Sequence, residues 1–113
     1  MNTKIKKQSR EFSRTEMYKM CEDTSTSVQD AEGVVFGLDG YILYETTDAD
    51  GRAVEVLAIK TTDGDVLSTV SETFKRNFFK ILDYMAGSDE DFDILITSGT
   101  SKNGRKYVSC TIN

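Results

Sequence analysis

Histidine, proline and tryptophan are all missing from this 113-residue chain, and cysteine occurs only twice. Without histidine, the commonest general base and the usual imidazole metal ligand are gone. Cys21 and Cys110 stand far apart, outside any Cys-x-x-Cys pair, so neither a zinc site nor a Cys–His nucleophile has support. No serine sits in a nucleophile-elbow pattern, and no glycine-rich loop matches a phosphate cradle. No apolar run is long enough to span a bilayer. The basic N-terminus, MNTKIKKQSREFSR, has no hydrophobic region behind it and does not read as a secretory signal. Two unpaired thiols suit a reducing cytoplasm. An enzyme is therefore not expected, nor is a metal site. The one enzymatic reading left is a nuclease holding Mg²⁺ on Asp and Glu, but the run Asp89-Glu90-Asp91-Asp93 reads as a solvated linker.

What the chain has in quantity is charge, unevenly placed. The formal net charge is −5. Residues 1–20 carry six Lys/Arg against Glu11 and Glu16, a local +4, and the rest carries 8 against 17, a local −9. A basic segment is thus attached to an acidic body. Within that body, cations gather at Lys75, Arg76 and Lys80 and again at Lys102, Arg105 and Lys106. Screening confines each charge to about 8–10 Å in physiological salt, so such patches can meet phosphate whatever the sum.

The length fits one domain, and 38% hydrophobic residues can fill one core. Residues 1–13 read as a flexible basic arm, ahead of a folded domain over 14–113. In Glu16–Cys21, Met17, Met20 and Cys21 fit a helical stripe, yet Tyr18 and Met20 alternate with Lys19 in strand fashion, and the segment is read as a short first strand. Gly33–Thr46 (GVVFGLDGYILYET) is rich in β-branched and aromatic residues, and Gly37 and Gly40 mark a bend or bulge. The turn Thr47–Gly51 leads into a strand over Arg52–Thr61. A second turn, Thr62-Asp63-Gly64, precedes a short strand over Val66–Val70. The period then changes: Phe74, Phe78, Ile81, Leu82 and Met85 share one face of a helix over about 71–86. Thr69 or Ser71 supplies its cap and Gly87 its stop. Phe92–Thr97 and Lys106–Ile112 alternate on either side of a long loop with an Asn-Gly pair, a β-hairpin. Five or so antiparallel strands with one helix before the last hairpin predict an OB-fold-like five-stranded barrel. An open α+β sheet with one helix packed on it also fits the pattern.

The run TTDGDVLSTVSETFKRNFFKILDYM, followed by FDILITSGTSKNGRKYVSCTIN, resembles the single-stranded-DNA-binding proteins of Bacillus phages that use protein-primed replication. It is also similar to related small proteins of other Gram-positive phages. The likeness is strongest over Val54–Ile112, weaker through Gly33–Asp50 and faint before that. It implies an OB-like fold that coats displaced single strands in the cytoplasm of a bacterial host, with no cofactor and no membrane. It also brings in phage or host replication proteins as partners.

Binding of single strands without sequence preference needs cations for phosphates and exposed aromatic faces for bases. With no Trp, tyrosine and phenylalanine must supply the faces. Parity on the last strand puts Val108, Cys110 and Ile112 inside and Tyr107 opposite, so Tyr107 is the leading stacking candidate. Tyr44, near the first hairpin turn, is the second. The expected phosphate contacts are Lys102, Arg105 and Lys106 on the C-terminal hairpin, Arg52 after the turn and Lys60 on the following strand. Phe74, Phe78 and Phe92 read as core, and Lys75, Arg76 and Lys80 as a solvated helix face. Long β-edges allow a homodimer. The acidic body supports a different reading, a small phage protein that inhibits a host protein or mimics DNA.

Overall fold

The computed structural model describes residues 3–113. Its strands are β1 (Lys4–Gln8), β2 (Thr26–Ser27), β3 (Val35–Phe36), β4 (Leu38–Thr47), β5 (Ala53–Thr61), β6 (Val66–Thr69), β7 (Ile94–Thr100) and β8 (Lys106–Ile112). Two helices, α1 (Arg14–Cys21) and α2 (Glu72–Met85), and a 3-10 turn at Val28–Ala31 complete it. The fold is mainly β.

A five-stranded sheet has the order β1-β4-β5-β6-β2, and a three-stranded sheet the order β3-β7-β8. The β4–β5–β6 meander follows from its turns, where Gly51 and Gly64 take φ of 79° and 90° at no steric cost. Its long ladder runs from Leu38 opposite Thr61 to Thr47 opposite Ala53. The stretch from β3 into β4 belongs to both sheets, since β3 pairs with β7 and β4 with β5. The ladder slips between Leu38 and Gly40, so the expected bend is a bulge. Gly40 has no room for a side chain, because a Cβ there would come 2.7 Å from the Phe12 ring.

Three expectations are corrected. The sheets do not close into a five-stranded barrel: among the described residues no ladder joins the larger sheet to β8. Glu16–Cys21 is helical, not a strand. The segment taken as a flexible arm holds β1, which pairs with β4 from Lys4 opposite Glu45 to Gln8 opposite Ile42. Met1 and Asn2 of that arm lie outside the described residues.

The physical reason is that the central sheet buries both faces. On one side α2 brings Phe74, Phe78 and Ile81 against Tyr41, Leu57 and Ile59. Tyr41 meets Phe78 and Phe79 edge-on, with centroids 5.6 and 5.2 Å away. Full burial of a ring such as Phe74 or Phe78 contributes about 1.5–3 kcal/mol. On the other side Met20 joins Ile42, Tyr44 and Ala58, with Met17, Phe12 and Ile5 packed against them. A short helix of eight residues needs help at its start. Ser13 Oγ accepts from the Glu16 N–H and Glu16 Oε1 accepts from the Ser13 N–H, a reciprocal cap.

Candidate nucleic-acid interface

The C-terminal hairpin pairs Gly99 with Tyr107 and Thr100 with Lys106. Its turn is held by short-range bonds: the Ser101 N–H donates to the Arg105 carbonyl at 2.8 Å, and the Gly104 N–H donates to the Ser101 carbonyl at 2.9 Å. Gly104, with φ of 78°, completes the reversal. Lys102, Arg105 and Lys106 are all exposed on it.

α2 lies beside β8. Cys110 Sγ is 3.8 Å from the Phe74 carbonyl, and Asn77 Nδ2 donates to Ser109 Oγ at 2.6 Å. Consecutive strand side chains leave opposite faces, so contacts to both Ser109 and Cys110 set the helix across the strand edge that β7 leaves open. Between helix and hairpin runs a groove of about 650 Å³. Arg76, Arg105 and Lys106 supply its cations and Tyr107 its aromatic ring. Asn77, with Thr73, Thr97, Ser98, Ser101 and Ser109, supplies amide and hydroxyl groups. Among the described residues no carboxylate lines this groove, in a chain with 19 Asp and Glu. Among the described residues none of its cations has a carboxylate within ion-pair distance.

Tyr107 is 42% exposed. A Cβ added at Gly99 would lie 2.5 Å from both Cζ and the hydroxyl of Tyr107. The ring therefore reaches across the hairpin over Gly99, the one residue type that leaves space for it, and stays partly exposed.

The expected site residues divide. Arg105, Lys106 and Tyr107 meet in the groove, and Lys102 stands on the same turn. Arg52 is exposed in the β4–β5 turn, where its N–H donates to Asp48 Oδ1 at 2.9 Å, and it is not a wall of the groove. Lys60 is engaged elsewhere: its Nζ is 3.0 Å from Glu16 Oε2 and 3.8 Å from Asp39 Oδ2. Arg10 binds the same two carboxylates at 3.0 and 3.2 Å. The Arg10 hydrogen bond, the Ser13 N–H and Lys60 together hold the Glu16 carboxyl well below the usual carboxylate range. Tyr44 is a correction, because it is only 7% exposed and cannot offer a face to a base. Its hydroxyl donates to the Cys21 carbonyl at 3.3 Å, and burial pushes the phenol up to about 12.

The helix face also divides. Lys75, expected in solvent, is 4% exposed, with Nζ 3.0 Å from Glu55 Oε1 and 2.8 Å from Glu72 Oε1. Arg76 and Asn77 are groove residues that reading the chain alone assigned to a solvated face or passed over. The available signal was the helical spacing of Thr73, Arg76, Asn77 and Lys80, a polar stripe beside the apolar one.

Among the described residues no group of three or more Cys, Asp or Glu side chains is placed to hold a metal ion. No described helix is long and apolar enough to cross a membrane. Comparison with protein-family models, with curated proteins and with solved structures returns no match for this chain.

Proposed function

We propose that this protein binds single-stranded DNA with little sequence preference, as a phage protein that coats strands exposed during replication or recombination. One observation carries the reading: a groove with a partly exposed tyrosine and three cations that, among the described residues, meet no carboxylate, on a chain of net charge −5. Phosphates would run past Arg76, Arg105 and Lys106 while a base stacks on Tyr107, an interaction worth about 1–3 kcal/mol per base. A duplex hides its base faces and would use only the cations. The order of meander, helix and hairpin supports an opened OB-like architecture, and the resemblance over Val54–Ile112 supports the phage setting. Two free thiols, with Cys110 buried, suit the cytoplasm of a bacterial host. This is a binding role, not catalysis.

Titrating oligo-dT and a duplex of equal length at two salt concentrations tests it. Quenching of tyrosine fluorescence by oligo-dT, weak duplex binding and a steep salt dependence are expected. Equal affinity for duplex, or no salt dependence, would overturn it.

A second reading has its own observation. Asp89, Glu90 and Asp91 project from an exposed segment between α2 and β7 and make no ion pair among the described residues. Such a segment could contact a basic host protein as an inhibitor or DNA mimic. Capture of one stoichiometric host protein, with no retention on single-stranded DNA, would select that role instead.

A further inference from the structure

Far from the groove, α1 and β1 frame a pocket of about 260 Å³. Ile5, Met17, Tyr18 and Cys21 are its apolar walls, and Arg14 and Glu22 its charged ones. It is smaller than the ~300–1,000 Å³ of drug-sized ligand sites and suits one aromatic ring. Among the described residues the two most exposed large apolar side chains are Tyr84, at 80%, and Tyr18, at 60%. They belong to opposite faces of the central sheet, since α1 packs on Ile42, Tyr44 and Ala58 and α2 on Tyr41, Leu57 and Ile59. Charge divides the same way. Tyr84 stands in the last turn of α2 beside exposed Asp83, and exposed Asp89, Glu90 and Asp91 follow the reversal at Gly87. Lys4, Arg14 and Lys19 are exposed on β1 and α1. Among the described residues none of these charges makes an ion pair. Each side has one opposing charge: Lys80 one turn before Tyr84, and Glu22 in the pocket, where it accepts from Thr3 Oγ1 at 2.8 Å.

We propose that Tyr84 of one molecule seats in the α1–β1 pocket of a second copy, with the acidic run Asp89–Asp91 alongside the cations of β1 and α1. Charge and shape together choose this occupant. An apolar ring set among carboxylates meets an apolar pocket set among cations, and one chain carries both halves. The Met17 and Cys21 sulfurs in the pocket walls are favourable partners for an aromatic ring. Because the two halves lie on opposite faces of the central sheet, one molecule can use both at once. Such a contact is heterologous, so a pair leaves one ring and one pocket free and copies add head to tail. Pairing of two β1 edges, the other route to self-association, is opposed by the exposed lysines Lys4, Lys6 and Lys7 that each copy would bring. One ring and a short acidic run make a small contact, so the association is weak and sensitive to salt. It stands apart from the single-strand reading. Where both hold, neighbours on one strand hold each other in place and binding is cooperative.

Sedimentation velocity of the full chain over a concentration series, without DNA and in low and high salt, tests it. The wild-type mass should climb past that of a dimer as concentration rises and fall back in high salt. Tyr84→Ser removes the ring, and Tyr18→Glu sets a carboxylate at the pocket to repel the acidic run; both replace exposed side chains. Each should weaken self-association roughly tenfold or more, as for an aromatic anchor at an interface. Mixed in equal amounts, the two variants should form a dimer that grows no further, since one keeps the pocket and the other keeps the ring. That pairing also shows that both variants are folded. A wild-type protein that stays monomeric up to its solubility limit, or stops at a dimer, would overturn the contact. Variants that associate like the wild type, or a mixture that fails to pair, would overturn it too. Absence of oligo-dT binding with head-to-tail growth intact would remove the single-strand reading alone.

Discussion

The ring of Tyr107 lies over Gly99, its cross-strand partner in the C-terminal hairpin, at a distance that leaves no room for a Cβ. Gly99 is not at a positive φ, so its role is space, not backbone freedom. Gly99→Val should therefore push the ring out of the groove while suiting the strand. Affinity for oligo-dT should fall by the stacking contribution, about 1–3 kcal/mol. Stability should fall by no more than about 1–3 kcal/mol, the usual cost of forcing bulk into an occupied site. Tyr107→Ala should show the same loss and Tyr107→Phe very little. Fluorescence titration paired with thermal melts checks this, and unchanged affinity in Gly99→Val would refute the role given to the ring.

The groove cations and the paired ones should separate by salt dependence. For single strands, each phosphate contact adds about 0.7 to the slope of log Kobs against log salt. Arg76→Gln, Arg105→Gln and Lys106→Gln should each flatten the slope by about that amount. Lys60→Gln should not, because Lys60 already faces Glu16 and Asp39. A Lys60 effect equal to that of Arg105 would mean the strand takes a different path.

Where one periodicity dominated, the sequence was legible. The helix expected over about 71–86 is Glu72–Met85, with Ser71 as its cap, accepting from the Phe74 N–H at 3.2 Å. The hairpin and the meander fall within a few residues of their expected bounds. Barrel closure was not legible, because it depends on pairings far apart in the chain. Tyr44 failed for a related reason. Tyr41-Ile42-Leu43-Tyr44 is apolar on both parities, the mark of a strand covered on both faces. The cover on its side is α1, too short for its apolar spacing to stand out. Its signal was Ser13-Arg14-Thr15-Glu16, a capping box read past as part of an arm and a strand.

If α1 is core and not appendage, the N-terminal residues cannot be removed freely. Met20 is 2% exposed against Ile42, Tyr44 and Ala58. Met20→Ala should cost about 2–5 kcal/mol, as for other large-to-small core changes. Deleting residues 1–21 should expose that face and give a chain that aggregates or binds hydrophobic dye. Urea melts of Met20→Ala decide the matter, and a loss under about 0.5 kcal/mol would restore the arm.

Acid should find the ion clusters first. Glu16 is drawn below the usual carboxylate range chiefly by Arg10, with Ser13 and Lys60 adding to it. Glu55 is drawn down by Lys6 and Lys75, whose Nζ atoms stand 2.6 and 3.0 Å from its oxygens. A depressed folded value means the unfolded chain binds protons first as pH falls. The contribution is therefore complete above the unfolded glutamate value, about 4.3, and is lost progressively as pH drops toward the lower folded values. Urea midpoints should be flat from pH 7 to about 5 and fall below that, less steeply in high salt because Arg10 and Asp39 of the Glu16 cluster are exposed. Glu16→Gln should lower the midpoint at pH 7 and shorten the acid fall, since its partners lose their carboxylate at every pH. Parallel wild-type and Glu16→Gln curves would place the acid sensitivity outside the Arg10–Glu16–Lys60 cluster.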